Sequence, residues 1–179
     1  PNSGIIYNLD TIGYSTQDSL PIFAVKLSYH ADLMENEPRV LILGQCHAEE
    51  IYGVEIAMGI IDRFLHPEEY SDIKPLLKAG LFSTELWVVP THNPEGLRVV
   101  HGYFGDGNEI KDVTYRKNKR DTNHNGIFDY EHGIGQDIDG VDLNRNYDFN
   151  WIFGDDIDEL DNGGCNPSYI TNYDYYRGP

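Results

Sequence analysis

The sequence predicts a layered α/β fold, because two apolar strands flank one amphipathic helix. Val40–Leu43 is an apolar run of strand length, and Glu85–Pro90 is a second such run. Between them, apolar residues recur at spacings of three and four from Ile51 to Leu65, as on the core-facing side of a helix. Strands that alternate with helices in this way form a sheet covered by helices.

The first forty residues contain two further apolar segments. Ile5–Leu9 is a short apolar start, and residues 13–19 are rich in turn-forming residues. Pro21–Tyr29 is apolar and β-branched enough to predict a strand. Residues 32–38 form a polar turn, so we expect this strand to pair in antiparallel fashion with the strand at Val40–Leu43.

A long helix is predicted from about Glu49 to Leu65. It ends at His66-Pro67, because the residue before a proline disfavours helical backbone. Its core-facing stripe consists of Ile51, Val54, Met58, Ile61 and Leu65.

Three weaker signals follow this helix. A short helix is predicted at residues 71–78 and is stopped by Gly80. Residues 91–96 are dense in turn formers and predict a loop at the end of the strand. From Val99 onward the periodicity fades, which predicts a long loop region of the kind that is functional or held by other contacts.

Composition and charge restrict the class of protein. The 179 residues suit one domain, and a net charge of −17 argues against nucleic acid as a partner. The same negative charge fits an exported protein, so we expect a secreted or extracellular location. No apolar run reaches the length of a membrane span, and we expect no membrane partner. The two cysteines, Cys46 and Cys165, leave open whether they form a disulfide.

The segment Gly44–Glu50 joins the strand at Val40–Leu43 to the long helix. On a first helical turn, His47 and Glu50 at positions i and i+3 point to one side, and both are zinc ligands by residue type. Glu49 at i+2 points elsewhere, so Glu50 is the preferred carboxylate. The alternative is that His47 only ends a strand and Glu50 is an acid favoured by the helix dipole.

Two polar segments carry residues suited to a carboxylate or an oxyanion. Residues 111–120 hold five of the thirteen basic residues, including Arg116, and form either a solvated loop or an anion site. Asn144 and Arg145 could supply an amide and a bidentate guanidinium to one carboxylate, and Asp142 could orient a metal-bound histidine. The alternative is a turn held by Asx hydrogen bonds.

A second cation site is predicted in residues 121–129. Oxygen-bearing side chains occur at positions 1, 3, 5 and 9 of a calcium loop with glycine at position 6, and these four residues are Asp121, Asn123, Asn125 and Asp129. Position 12 is His132, although Glu131, Asp137 or Asp139 could substitute for the usual glutamate. The alternative is an Asx-rich turn, and the acidic run at residues 155–161 is interpreted as a solvated loop.

Four of these segments, in this order, resemble the zinc metallocarboxypeptidases related to carboxypeptidases A, B and T. They are His47–Glu50, Asn93–Gly96, Tyr115–Lys117 and Gly140–Asn146, and the segments Gly13–Lys26 and Tyr175–Pro179 also look like parts of that family. The resemblance implies an α/β fold with a mixed sheet and helices on both faces. It also implies that residues 1–179 are the N-terminal portion of a single peptidase catalytic domain, incomplete at the C-terminal side.

The resemblance implies a zinc-dependent enzyme that removes C-terminal residues from peptides. His47 and Glu50 would bind the zinc, and Asp142 would steady His47. Arg116 would polarise the scissile carbonyl and hold the oxyanion. Asn144 and Arg145 would bind the terminal carboxylate of a peptide or protein substrate.

The sequence departs from the family at several functional positions, which include a mobile tyrosine and the pocket-floor position that sets specificity. The family takes its third zinc ligand from a later histidine and its base from a later glutamate, but no histidine follows Arg145. We therefore expect these residues alone to be inactive. Either the rest of the domain was removed, or it exists as a separate chain, or these residues are an inactive remnant, and we expect a partner chain or a second fragment. Glu49 stands where many relatives carry arginine, which puts a preference for acidic peptides in doubt.

Two other functions remain compatible with the same residues. One is a non-catalytic module that binds peptide C-termini through Arg116, Asn144 and Arg145. The other is a deacylase of N-acyl amino acids from the same superfamily.

Overall fold

The computed structural model describes residues 6–105, 107–129 and 139–147. The chain divides into two compact units. The first unit consists of Pro1–Tyr14, Pro21–Gln45 and Ile51–His92, and the second of Ser15–Leu20, Cys46–Glu50 and Asn93–Pro179. Each unit is described by itself.

The first unit contains a mixed sheet, as the family resemblance implies. Its strands are β1 (Tyr7–Tyr14), β2 (Pro21–Leu27), β3 (Arg39–Gln45) and β4 (Glu85–Thr91), in the order β1-β2-β4-β3. β2 is antiparallel to β1 and to β4, whereas β3 is parallel to β4. β4 is central, and its Val88 pairs with Val25 on one side and Ile42 on the other while being fully buried.

The predicted antiparallel pairing of the strand at residues 21–29 with the strand at 40–43 is wrong. β4 lies between these two strands, because the chain leaves β3 through two helices before it returns as β4. A helical crossover of this length allows parallel pairing with β3, which a short hairpin turn cannot provide.

The long helix α1 (Tyr52–Leu65) begins three residues later than the sequence predicts and ends at the expected place, with His66 as its C-cap. Ala57 and Ile61 are its buried residues, whereas Met58 of the predicted stripe is 49% exposed. The buried face is therefore rotated from the predicted stripe, toward residues that pack on the sheet. The core around Ala57 and Ile61 is completed by Leu27, Leu81, Leu86 and Val88.

The short helix lies later than predicted. A 3-10 turn at Pro67–Glu69 precedes α2 (Lys74–Ser83), and Gly80 lies inside this helix instead of ending it. The helix continues through Gly80 because of tertiary packing, since the next residue, Leu81, is 4% exposed and belongs to the core. In the described part of the chain, no helix has the length and apolar character needed to span a membrane.

The second unit begins its regular structure at a residue predicted to lie in a loop. Helix α3 (Pro94–His101) is capped by Asn93, whose side chain accepts a hydrogen bond from the Gly96 amide. A hairpin of β5 (Tyr103–Gly105) and β6 (Asn108–Ile110) follows, so part of the predicted long loop is also structured. A 3-10 turn at Leu143–Arg145 is the last described element.

Close backbone packing in the second unit brings three segments together. The Asn93 side chain donates to the carbonyls of Cys46 and Lys117 at 3.0 and 3.1 Å. A Cβ atom at Gly96 would lie 2.5 Å from the Lys117 carbonyl oxygen and 2.8 Å from the Ala48 side chain, so only glycine fits. Residues 46–50 are thereby held against residues 115–117 and the start of α3.

Candidate metal and substrate site

A tight turn places His47 and Glu50 together. The chain passes from the end of β3 into this turn, which a backbone hydrogen bond from Glu50 to the carbonyl of His47 closes at 3.2 Å. The Ala48 amide donates to the carbonyl of Arg116 at 3.0 Å and anchors the turn. The prediction that the pair lies on a helical turn is wrong, because α1 starts only at Tyr52.

The geometry of His47 and Glu50 nevertheless suits a shared metal ion. Nδ1 of His47 is buried and lies 3.1 Å from Oε1 of Glu50. Two ligand atoms that are each about 2.0–2.2 Å from a tetrahedral zinc lie about 3–3.5 Å apart. The pair therefore fits zinc, and Glu50, not Glu49, faces Nδ1.

Asp142 connects His47 to two other segments. Its side chain is fully buried, and Oδ1 lies 3.2 Å from Nε2 of His47. The same oxygen accepts a hydrogen bond from the Asn144 amide at 2.9 Å, and Oδ2 accepts one from Nε of Arg116 at 2.8 Å. One carboxylate thus orients the histidine ring, the arginine and the start of the 3-10 turn.

These contacts shift two pKa values. The hydrogen bond to Asp142 raises the pKa of His47, against opposing effects of burial and of Arg116. Burial acts to raise the pKa of Asp142, but the hydrogen bonds from His47 and Arg116 outweigh it, so the pKa is lowered. Asp142 therefore stays ionised as the acceptor for both groups.

Arg116 lies among three residues of the site. Besides its bond to Asp142, Nη1 donates to Oε1 of Glu49 at 3.2 Å, and Nη2 lies 2.7 Å from Nε2 of His47. A neutral histidine nitrogen either donates or accepts, so Nε2 cannot donate to Asp142 and accept from Arg116 together. The position of the proton on His47 thus decides which of the two contacts is a hydrogen bond.

Asn144 and Arg145 are exposed and lie beside this cluster. They belong to the 3-10 turn whose N-cap is Asp142, and the Arg145 amide donates to the carbonyl of Asp142 at 3.0 Å. The turn keeps both side chains at the surface next to a residue that also holds His47 and Arg116. The structure therefore brings together the six residues predicted for zinc and peptide binding, which are His47, Glu50, Arg116, Asp142, Asn144 and Arg145.

Cys46 precedes His47 directly in the chain. Burial raises the pKa of its thiol to about 11, and the charge of Asp142 adds to this effect, so the thiolate is disfavoured. Cys165, for which the sequence leaves a disulfide with Cys46 open, lies outside the described residues.

In residues 6–105, 107–129 and 139–147, no group of three or more His, Cys, Asp or Glu side chains is arranged to hold one metal ion. The predicted calcium loop is instead held by its own hydrogen bonds. Asp121 accepts from the amides of His124 and Gly126, and Asp129 accepts from the side-chain amides of Asn123 and Asn125.

Asp139, one candidate for the last calcium ligand, is fully buried and has a different set of partners. Its Oδ1 accepts from the amide and hydroxyl of Thr122, and its Oδ2 accepts from the Asp129 amide. Asp139 therefore stabilises the loop through Thr122 and Asp129. Glu131, His132, Asp137, the acidic run at residues 155–161 and Tyr175–Pro179 lie outside the described residues.

Sequence reasoning missed two residues that shape the site. The loop that the sequence predicts at residues 91–96 includes Asn93, although an asparagine followed directly by proline is a signal for the start of a helix. Buried Glu95 accepts hydrogen bonds from the amides of Gln17 and Asp18 at 2.8 and 2.7 Å and so fastens the turn at residues 15–20. No pattern in the sequence predicts that Glu95 holds this turn.

Comparisons with known proteins find related sequences and related folds. The family model Peptidase_M14, described as zinc carboxypeptidase, matches residues 3–179. A zinc carboxypeptidase of Saccharothrix mutabilis subsp. capreolus is 29% identical over 151 residues, which are 82% of this chain and 28% of that protein.

Two solved structures share the fold. They are thrombin activatable fibrinolysis inhibitor, with a TM-score of 0.65 and 18% identity, and the carboxypeptidase A of Helicoverpa armigera, with a TM-score of 0.64 and 20% identity. The matches cover 97% of this chain but 34% and 33% of those chains. This chain therefore spans about a third of the length of the structures that it matches.

Proposed function

We propose that this chain, which belongs to the zinc carboxypeptidase family Peptidase_M14, contributes the zinc-binding pair and the substrate-anchoring residues of an enzyme that removes C-terminal residues from peptides. The observation that supports the proposal is the position of Asp142. Its buried carboxylate contacts His47 and Arg116 and starts the turn that carries Asn144 and Arg145.

His47 and Glu50 would hold the zinc ion, through Nδ1 and Oε1. When bound there, zinc would supply Lewis acidity and a water of lowered pKa. Catalytic zinc sites usually have three protein ligands. We infer that the third ligand and the general base come from residues other than those described, and that residues 1–179 alone do not turn over substrate.

Arg145 and Asn144 would anchor the terminal carboxylate of the substrate. A guanidinium and an amide can each donate to a carboxylate, and both side chains are exposed at the surface. Anchoring this end would bring the last peptide bond to Arg116. There the guanidinium would polarise the scissile carbonyl and stabilise the charge that develops on its oxygen.

The anchoring step can be tested by binding alone. We expect the chain to bind a short N-acetylated peptide with a free carboxylate, and to bind the same peptide with a C-terminal amide about tenfold more weakly. Arg145→Ala should remove this difference. Arg120→Ala, which removes another exposed arginine of the same unit, is the matched control and should preserve it.

Turnover separates the remaining candidate functions. Hydrolysis of an N-blocked peptide by the complete domain with zinc supports the carboxypeptidase. Hydrolysis of N-acyl amino acids alone would assign a deacylase, and peptide binding without turnover would assign a binding module. Equal binding of acid and amide peptides would contradict all of the functions that rest on carboxylate recognition.

We further propose that residues 121–129 bind calcium through Asp121, Asn123, Asn125 and Asp129. Two carboxylates and two amides lie within nine residues here, and Ca²⁺ prefers oxygen ligands of this kind. The ion would replace the hydrogen bonds that Asn123 and Asn125 donate to Asp129. Calorimetric titration of calcium into the chain and into Asp129→Ala tests this site, and the absence of binding to the parent chain would refute it.

A further inference from the structure

Glu49 lies in the same tight turn as the two zinc-binding residues, between His47 and Glu50. Its side chain is 28% exposed, and Oε1 lies 3.2 Å from Nη1 of Arg116. Oε2 is buried and has no hydrogen-bond partner among the described residues. The partly exposed side chain as a whole therefore lies at the surface of the site beside Arg116.

The charge on Glu49 is not fully balanced by Arg116. The guanidinium also pairs with Asp142, at a shorter distance of 2.8 Å and in a fully buried position. One positive charge cannot neutralise two carboxylates, and the buried pair has the stronger interaction because its surroundings are less polar. Glu49 therefore shares the Arg116 guanidinium with Asp142, and a second cation beside Glu49 would compensate for this sharing.

The arrangement of partners around Arg116 indicates where such a cation belongs. Nε of Arg116 faces Asp142, the first residue of the turn that carries Asn144 and Arg145. Nη1 faces Glu49 instead. A peptide anchored by its carboxylate at that turn, with its last peptide bond at Arg116, would therefore bring the residues before that bond toward Glu49.

We propose that Glu49 makes this site selective for peptides that carry a lysine or arginine on the amino side of the scissile bond. The inference rests on the proposed carboxylate anchor. A cationic side chain there gains attraction from Glu49 as Arg116 turns toward the substrate carbonyl. An acidic side chain in the same place meets repulsion from Glu49.

The experiment compares dissociation constants of five N-acetylated tripeptides with a free carboxylate, measured by calorimetry in metal-free buffer. The reference is acetyl-Ala-Ala-Phe. Lysine or glutamate replaces the middle alanine in two peptides, and lysine replaces the first alanine or the terminal phenylalanine in the other two. We expect a lysine before the scissile bond to bind about tenfold more tightly than the glutamate, and added salt to shrink this ratio.

Glu49→Gln tests whether the preference comes from this carboxylate. The amide keeps the shape of the side chain, so the ratio between the lysine and glutamate peptides should fall to near one while the reference peptide still binds. If Glu49 only positions Arg116, all peptides should weaken together and the ratio should persist. Glu55→Gln removes one exposed negative charge from α1 and, as the matched control, should keep the ratio.

Several results would overturn the inference. They are equal binding of the lysine and glutamate peptides to the parent chain, a preference confined to a terminal lysine, or a ratio that survives Glu49→Gln. Failure of the proposed function gives a different result, namely no binding of the reference peptide or no effect of Arg145→Ala. The ratio measured on the parent chain decides the question even if the Glu49 variant does not fold.

Discussion

Nε2 of His47 lies 3.2 Å from Oδ1 of Asp142, a carboxylate with no exposure to solvent. This contact directs the opposite ring nitrogen, Nδ1, toward Glu50. Because Asp142 also pairs with Arg116, the orientation of the proposed zinc ligand and that of the proposed oxyanion-binding group depend on one side chain. Loss of this carboxylate should therefore affect metal binding and substrate binding together.

Asp142→Asn should weaken zinc binding about 10- to 100-fold, because a histidine ligand loses the partner that fixes its ring. A competition titration with a chromophoric chelator measures this change. The substitution also leaves Arg116 without its buried counter-charge, so we expect a loss of about 3–5 kcal/mol in the free energy of unfolding. Zinc affinity equal to that of the parent chain would show that Asp142 does not orient His47.

Zinc binding should separate Arg116 from His47. With Nδ1 bound to the metal, the proton of the neutral ring is on Nε2, which then donates to Asp142 and can no longer accept from Nη2 of Arg116. We expect the present Nη2–Nε2 distance of 2.7 Å to increase beyond about 3.5 Å in a crystal structure with zinc. An unchanged distance in that crystal would contradict the assignment of Nδ1 as the ligand atom.

Glu85 should make the first unit sensitive to acid. Hydrogen bonds from Lys26 and then from Arg39 lower its pKa from the ordinary 4.5 to about 2. The folded-state pKa is depressed, so this stabilisation is present above about pH 4.5 and is lost as the pH falls toward 2. Denaturant unfolding between pH 7 and pH 2 measures the loss.

Glu85→Gln should remove most of that pH dependence and leave the buried Lys26 ammonium without its 2.9 Å partner. We expect the free energy of unfolding at pH 7 to fall by about 3–5 kcal/mol. Glu55→Gln, at an exposed position, is the control and should change it by less than about 0.5 kcal/mol. A parent-like pH profile in Glu85→Gln would rule out this carboxylate as the source.

Gly96→Ala should disrupt the packing that supports the His47 turn. The new Cβ would lie 2.5 Å from the Lys117 carbonyl oxygen, which is backbone and cannot move independently. We expect a loss of about 1–3 kcal/mol in thermal unfolding experiments, with weaker zinc binding. Gly13→Ala, where nothing lies within 4 Å of the added atom, is the control, and equal effects of the two substitutions would contradict this explanation.

The elements that the sequence predicts well are those encoded by a local pattern. The apolar runs that become β2, β3 and β4 are confirmed, and α1 ends at His66 as predicted from His66-Pro67. The partner of β2 could not be predicted, since insertion of β4 beside it depends on a crossover of about forty residues. Continuation of α2 through Gly80 likewise depends on the core position of Leu81.

The candidate site likewise combines features that a local pattern predicts with features that depend on tertiary contacts. Residue types and spacing predict that His47 and Glu50 act as a pair, but their contact comes from a turn anchored to Arg116 and not from a helix. The pairing of Glu49 with Arg116 joins residues 67 positions apart, so no local pattern reports it. The family resemblance supplies the roles of Asn144 and Arg145, which residue chemistry alone leaves open between an anion site and a turn.

The second unit is discontinuous in the chain, and this has a consequence for the order of folding. Residues 46–50 are separated from residue 93 onward by a segment of the first unit. Closing the Ala48–Arg116 hydrogen bond in an unfolded chain restricts a long loop and carries its full entropy cost. Earlier folding of the intervening segment shortens that loop, so the proposed metal and substrate site should form late. Hydrogen exchange should show protection of β4 before that of Ala48.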